Sequence, residues 1–251
     1  MSVIHRSGTH IIKFTRSQIF IFQFVGHLSQ TAKDMLLGKL TINWSRLWVV
    51  VYFSGVRLVI PLIIISALLS ISIAQMVYVT LSPFHLQKQV LPIAQSILTR
   101  EFLPIFIGLI LCIQSAVRFI DTKTQQANQT GTDALTEQVI PIMIGVSLTS
   151  IFLFAYAIGA VILSFYLVFH YKLSLSTYEF ISHILSARTR FELIYSAFKT
   201  LILSFVVAIV AGFYYFESAV NHTTLSKAVS RTMTRGIFWL IVTSLYMTFL
   251  L

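Results

Sequence analysis

Charged residues are scarce in this chain of 251 amino acids. They make up 10% of it and hydrophobic residues 57%, against about 25% and about 45–50% in an ordinary soluble domain. This scarcity excludes a soluble globular enzyme. The 21 Phe, the 10 Tyr and a mean hydropathy of +0.85 also exclude a disordered chain, since one water-soluble core cannot bury so much apolar surface. The composition therefore predicts a protein of the lipid bilayer.

Cysteine and catalytic motifs are also nearly absent. The single Cys112 excludes a disulfide framework and an all-cysteine metal site within one chain. The sequence has no H-E-x-x-H zinc helix, no G-x-S-x-G elbow and no Walker A phosphate loop. His170 and His183 fall in one predicted loop without a clustered carboxylate, and are interpreted as solvated loop residues. We therefore expect no metal site and no catalytic residue; an intramembrane lipid enzyme would need a catalytic group that no motif reveals.

Long hydrophobic runs are what the sequence does have. Crossing about 30 Å of hydrocarbon takes about 20 helical residues, and five stretches meet or nearly meet this length with few charges: residues 47–79, 102–120, 139–169, 193–216 and 236–251. The sequence therefore predicts an all-α membrane protein with five transmembrane helices. The first stretch contains Pro61 and is predicted to be tilted or broken. Residues 91–101 form a less apolar lead-in to the second stretch, and the third is predicted to be one long tilted helix.

The segment before residue 47 differs in kind, because its apolar stretch, residues 19–25, is too short to span a bilayer. Its apolar residues recur with helical spacing on one face, at Phe14, Ile21, Val25, Leu28, Ala32 and Met35. This pattern predicts an amphipathic helix lying in the membrane interface. A signal peptide is the alternative, but no small-residue cleavage pattern follows the apolar stretch. The chain is predicted to be one transmembrane domain, residues 1–251, with an interfacial helix region over 1–46 and a five-span core over 47–251.

The distribution of basic residues predicts the orientation. In a membrane chain, a net charge of +10 indicates cytoplasmic loops and anionic lipid headgroups rather than nucleic acid. If the N-terminus is inside, the inner segments contain eleven Lys and Arg residues and the outer loops five. The inner ones are Arg6, Lys13, Arg16, Lys33, Lys39, Arg46, Arg118, Lys123, Lys227, Arg231 and Arg235, and the outer ones are Lys88, Arg100, Lys172, Arg188 and Arg190. The N-terminus is therefore predicted to be cytoplasmic and the C-terminus to end on the outer side.

A few charges fall inside or beside the predicted spans, where each costs about 2.5–3.5 kcal/mol to insert. For Arg57 and Lys199 we favour snorkelling, in which the charged end reaches the nearer interface. For Arg100 and Glu101 two interpretations stay open: an interfacial ion pair that caps a helix end, or a polar patch in a cavity where a lipid headgroup binds. Pro104 lacks the amide that would bond the carbonyl four residues earlier, so an interruption of the helix is predicted at Arg100.

Three segments of the sequence resemble those of a known family. Residues 99–108, T-R-E-F-L-P-I-F-I-G, resemble the L-R-E-L-G-P segment of the MlaE/YrbE permeases, the membrane subunits of MCE-associated lipid-transporting ABC systems. Residues 75–78, Q-M-V-Y, resemble its Q-G-Y-like stretch before the second span, and residues 226–235, S-K-A-V-S-R-T-M-T-R, resemble its S-R-x-T-T-R segment before the last helix. The order of elements also agrees, so the likeness extends over essentially the whole chain.

The resemblance implies a function and a set of partners. It implies a permease of the bacterial inner membrane, with a cytoplasmic N-terminus and a periplasmic C-terminus, that moves phospholipid between the inner and outer membranes. The implied partners are an MCE-domain protein, a separate ABC ATPase that binds ATP-Mg, and a second permease copy, identical or not. No cofactor is expected in this chain itself.

The resemblance also implies roles for particular residues. Gln75, Tyr78, Arg100 and Glu101 are expected to bind lipid at the headgroup region. Asp121, Asp133 and Glu137, within the segment 121–138, are expected to serve coupling to the ATPase. Arg231 and Arg235 are expected to contact headgroups at the inner interface, or simply to anchor the helix there.

One segment departs from the family pattern. Where the family has a small-residue run ending in E-I-G, residues 115–124 are S-A-V-R-F-I-D-T-K-T and contain no glycine. This departure favours a second hypothesis, a degenerate permease that transports nothing and acts as a membrane scaffold for assembly of a larger complex.

Overall fold

The computed structural model describes residues 44–86, 89–125, 140–173, 177–184, 186–221 and 225–250, together with isolated positions at 26, 29, 30 and 33. Within these ranges the chain forms helices and short turns and no β-strand. This confirms the predicted all-α class. The predicted interfacial helix of residues 1–46 lies almost entirely outside the described residues and stays a prediction.

Eight α-helices occur within the described ranges, and two π-helical turns interrupt them. The elements are, in order, α1 (Trp44–Val51), a π-turn (Tyr52–Val56), α2 (Arg57–Leu81), α3 (Val90–Ser96), a second π-turn (Ile97–Phe102), α4 (Leu103–Gln125), α5 (Ile140–Leu173), α6 (Thr177–Ile184), α7 (Ala187–Asn221) and α8 (Leu225–Phe249). A 3₁₀ turn at Ser82–Phe84 follows α2, and the next residue, His85, has a φ of 57°. That left-handed conformation cannot continue a helix, so the chain turns away there.

Four helical segments are long and apolar enough to cross a membrane: Arg57–Phe84, Val90–Val117, Ile140–Tyr171 and Thr189–Tyr214. A helix pairs its own backbone amides and carbonyls, which would find no hydrogen-bond partner in hydrocarbon. α8 is 25 residues long but is not among the four; Lys227, Arg231 and Arg235 lie in its first half, and only 14 of its residues follow Arg235. The count of five spans therefore stays a prediction.

The structure adds detail to the first two spans. In the first stretch the regular helix is interrupted at Tyr52–Val56 rather than at Pro61, since α2 continues through this exposed residue. The lead-in over residues 91–101 is helical and belongs to the second span, which begins at Val90. The predicted long third helix is confirmed as α5, 34 residues without a break.

α7 occupies the centre of the packing, where it contacts α4, α5 and α8, while α2 packs mainly on α5. The side chains of Ile107, Leu111, Leu203 and Leu240 are fully buried in this core. Most buried hydroxyls donate a hydrogen bond to a carbonyl of their own helix, as the Thr232 hydroxyl does to the Ala228 carbonyl at 2.9 Å. This is how Ser and Thr are accommodated in apolar helices without an unpaired polar group.

α4 and α8 approach each other closely at two glycines. A Cβ added to Gly108 would lie 2.6 Å from Leu240 Cδ1, and one added to Gly236 would lie 2.5 Å from Cys112 Sγ. Each glycine thus accommodates a larger side chain of the facing helix. Small residues at such crossings allow two membrane helices to pack backbone to backbone.

Candidate functional site

The π-turn Ile97–Phe102 displaces the backbone hydrogen bonds just where the sequence places two charges. The Leu103 amide bonds the Leu98 carbonyl, five residues back. In that register the amide of residue 104 would serve the Thr99 carbonyl, but Pro104 has none. The Ser196 hydroxyl of α7 donates to the Thr99 carbonyl instead. A side chain of α7 therefore bonds the carbonyl that the π-turn would leave unpaired. The interruption predicted at Arg100 is a widened helical turn, and the helix does not break there.

A buried ion pair lies beside this turn. Lys199 of α7 is 0% exposed, and its Nζ donates to Glu101 Oε2 at 2.6 Å. Lys199 Nζ also donates to the Thr248 hydroxyl of α8 at 2.9 Å, and that hydroxyl lies 2.9 Å from Glu101 Oε2. One carboxylate oxygen thus joins the second span, the fourth span and the end of the last helix.

Arg100 contacts the other carboxylate oxygen of Glu101, the one that Lys199 does not bond. Its Nε lies 3.5 Å from Glu101 Oε1, and its guanidinium lies 5.3 Å from the centre of the Tyr195 ring. Tyr195 in turn donates from its hydroxyl to the Met247 carbonyl at 3.0 Å. We call Arg100, Glu101, Tyr195, Lys199 and Thr248 the Glu101 cluster.

The charges of the Glu101 cluster do not cancel. Glu101 neutralises Lys199 at 2.6 Å, whereas Arg100 makes the longer contact and its side chain is 34% exposed. The cluster therefore has one surplus positive charge, and Arg100 presents it outside the buried pair. A guanidinium in this position can donate several hydrogen bonds to an anion, with the fork geometry that suits phosphate.

A second polar cluster lies at the other end of the same helices. Arg231 Nη1 pairs with Glu217 Oε1 at 3.1 Å, and Arg235 Nη1 donates to the Tyr214 hydroxyl at 2.6 Å. We call these four residues the Arg231 cluster. Lys199 and Glu217 are separated by 18 positions of one helix, which is about 27 Å at 1.5 Å per residue. The two clusters thus lie almost one hydrocarbon thickness apart.

The structure brings only part of the predicted lipid-binding set together. Arg100 and Glu101 lie in one cluster, whereas Gln75 and Tyr78 lie on α2, the first exposed and the second half-buried against the core. Among the described residues, no hydrogen bond or ion pair joins Gln75 or Tyr78 to the Glu101 cluster. Their proposed role therefore depends on the resemblance alone.

The predicted coupling residues lie outside what the structure describes. Asp133 and Glu137 fall in the undescribed segment, and for Asp121 only the backbone, within α4, is described. Arg231 and Arg235 are described, and each has a partner on α7.

Two interpretations of the charges were wrong. Snorkelling was favoured for Lys199, but its side chain is fully buried and bonded to Glu101. A helix-end cap was one alternative for Arg100 and Glu101, but the helical chain continues through both. The missed signal was complementarity: Lys199 inside the fourth apolar stretch and Glu101 at the edge of the second lower their insertion cost most by pairing with each other.

His170 was also misplaced, because it belongs to α5 rather than to a loop and its ring stacks on Tyr166 at 5.6 Å. No group of three or more His, Cys, Asp or Glu side chains that could hold a metal ion occurs in the part of the chain that the structure describes.

Together, the apolar spans and the charged cluster held between them define a multi-pass α-helical membrane protein with a polar site inside its apolar length. The family model "Permease MlaE" matches residues 47–250, and the chain belongs to this permease family. It is thus a membrane permease subunit of an ABC-type transporter, a transport subunit rather than an enzyme. A search of curated proteins finds no significant match.

Proposed function

We propose that this permease transports phospholipid between the inner and outer membranes, together with an MCE-domain protein and a separate ATPase. The observation that carries the proposal is the Glu101 cluster, because it places a partly exposed arginine inside the apolar length of a permease. A phospholipid needs both surfaces at once: an anion-binding group for its phosphate and an apolar surface for its acyl chains.

Arg100 is the residue we assign to the phosphate. The Glu101–Lys199 pair holds the π-turn and α8 in place, so the guanidinium is presented on a fixed support. Gln75 and Tyr78 complete the headgroup region in this proposal. Arg231 and Arg235 receive the headgroup at the opposite end, where they double as interfacial anchors.

The energy source lies outside this chain. ATP-Mg binds a partner ATPase, the segment containing Asp121, Asp133 and Glu137 couples to it, and two permease copies enclose the lipid path. Nucleotide drives the transport only if it binds one conformation of the permease more tightly than the other.

Arg100→Gln tests the proposal, because it removes the surplus charge and leaves the buried pair intact. A hydrogen bond to a charged group contributes about 1.5–3 kcal/mol, so phospholipid transfer should fall by about 10- to 100-fold. The measurement is ATP-dependent transfer of labelled phospholipid between vesicles by the complex reconstituted with its ATPase. Arg190→Gln, at an exposed position near the start of α7, is the matched control and should transfer normally.

The scaffold hypothesis makes the opposite prediction. A scaffold assembles with its partners, but the parent complex transfers no phospholipid and its ATPase turnover does not respond to phospholipid. That result would overturn the proposed transport, whereas an Arg100→Gln variant that transfers as well as the parent chain would overturn the role of Arg100.

A further inference from the structure

The short helix α6 is tied at both ends to the spans that flank it. At its beginning, the Thr177 hydroxyl lies 3.2 Å from the Tyr166 hydroxyl of α5, and the Phe180 ring packs edge-on against the Tyr166 ring at 5.4 Å. At its end, the Thr189 hydroxyl of α7 donates to the His183 carbonyl at 3.1 Å. α6 therefore bridges the ends of α5 and α7.

Both attachment points lie at the same depth in the membrane. The apolar spans Ile140–Tyr171 and Thr189–Tyr214 contain 32 and 26 residues, whereas about 20 residues suffice to cross the hydrocarbon. The central part of that length reaches to about residue 165 in α5 and starts at about residue 192 in α7. Tyr166 and Thr189 thus both lie at the boundary of the hydrocarbon. A helix attached to both lies along the membrane plane.

The apolar face of α6 is wider than the face that the protein covers. Phe180 is buried and Ile184 half-buried, but beside them Tyr178 is 82% exposed and Ile181 49% exposed. At 100° per residue, Glu179, Ser182 and His183 fall on the opposite side. The exposed apolar edge is therefore part of an amphipathic pattern and not a scatter of single residues.

We propose that α6 is an interfacial anchor, with Tyr178 and Ile181 inserted into the lipid at the boundary between headgroups and acyl chains. The lipid surface is the partner that the position favours, because the spans on either side of α6 also expose large apolar side chains near their ends, Tyr171 of α5 and Phe191 of α7, which are 80% and 66% exposed. Tyrosine is enriched at this depth, since its ring is apolar and its hydroxyl is polar.

The anchor has a consequence for the Glu101 cluster. Lys199 lies ten positions after Thr189 on α7, about 15 Å along the helix. By holding the start of α7 at the interface, α6 fixes the depth of Lys199 and of the groups bonded to it. This inference does not depend on which substrate is transported.

The test compares two faces of α6 in the full chain, reconstituted in nanodiscs of phosphatidylcholine and phosphatidylglycerol. Cys112→Ala removes the native thiol, and a nitroxide label is attached at Tyr178→Cys or, as the control on the polar face, at Glu179→Cys. Collisions with oxygen, which concentrates in lipid, and with a water-soluble nickel chelate are measured by electron paramagnetic resonance. We expect the ratio of oxygen to nickel collisions to be several-fold higher at position 178 than at 179.

Two results would overturn the anchor. Equal, nickel-dominated collisions at both positions would place α6 in water. Shielding of position 178 from both reagents would mean that protein, not lipid, covers this edge. If the Tyr178→Cys chain does not fold, Ile181→Cys on the same edge gives the same comparison.

Discussion

At the scale of single residues, Lys199 and Glu101 depend on each other. The fully buried ammonium of Lys199 is tolerated because the Glu101 carboxylate lies 2.6 Å away and the Thr248 hydroxyl accepts a second hydrogen bond from it. Pairing of this kind recovers much of the lost hydration, but an apolar pair of similar volume often does as well or better. The pair is therefore expected to define the arrangement of three helices more than to stabilise it.

This dependence predicts an unusual order of stabilities. Glu101→Gln leaves Lys199 charged and buried without its counterion, which should destabilise the chain by about 3–5 kcal/mol. Replacing both groups, Glu101→Leu with Lys199→Met, should restore most of that loss. Thermal unfolding of the purified chain in detergent measures the order, with Arg100→Gln as the control that leaves the pair intact. A double variant as unstable as Glu101→Gln would show that the pair itself stabilises the fold.

Sequence reasoning located these charges but not their contacts. It identified Arg100, Glu101 and Lys199 as costly positions from hydropathy alone, since insertion cost depends on one residue and its depth. It missed the pairing of Lys199, because contacts between residues 98 positions apart depend on how the helices are packed. The register shift at Thr99 was also hidden, since Pro104 signals a missing amide but not which carbonyl loses its partner.

At the scale of helices, the α4–α8 contact depends on glycine. Position 236 faces Cys112 Sγ with no room for a Cβ, whereas nothing lies within 4 Å of a Cβ added at Gly159 of α5. The helices themselves were predictable from apolar length. The points at which the helices cross were not predictable, because a glycine in an apolar stretch indicates close packing but does not indicate which helix packs against it.

The contact predicts that Gly236→Leu is destabilising by about 1–3 kcal/mol through overpacking. Gly159→Leu introduces the same side chain into open space and should change the midpoint of thermal unfolding little. A second substitution checks the cause. Gly236→Ala should lower the midpoint of thermal unfolding less when Cys112→Ala has removed the sulfur that the new Cβ would meet. If the smaller residue at 112 brings no relief, the Gly236 contact is not what limits the size of the side chain there.

At the scale of the whole molecule, the attachment of α6 and the Arg231 cluster mark the two ends of the apolar length. On α7, Thr189 lies at one end and Glu217, with its partner Arg231, lies beyond the other, while Lys199 lies between them. A thicker bilayer would draw the Glu217–Arg231 pair into hydrocarbon, and a thinner one would expose apolar side chains to water. Both changes cost a fraction of a kcal/mol per Å of mismatch.

The stability of the permease is therefore expected to pass through a maximum with bilayer thickness. In nanodiscs of dimyristoleoyl, dioleoyl and dierucoyl phosphatidylcholine, the midpoint of thermal unfolding should be highest in the dioleoyl lipid. Arg231→Gln combined with Glu217→Gln removes both charges of the pair that resist insertion, so the double variant should lose less stability than the parent chain on going from dioleoyl to dierucoyl lipid. If the midpoint instead rises steadily with acyl-chain length in both proteins, the Arg231 cluster does not mark the membrane boundary. A charge at that boundary would make the protein less stable in the thicker bilayer than in the dioleoyl one.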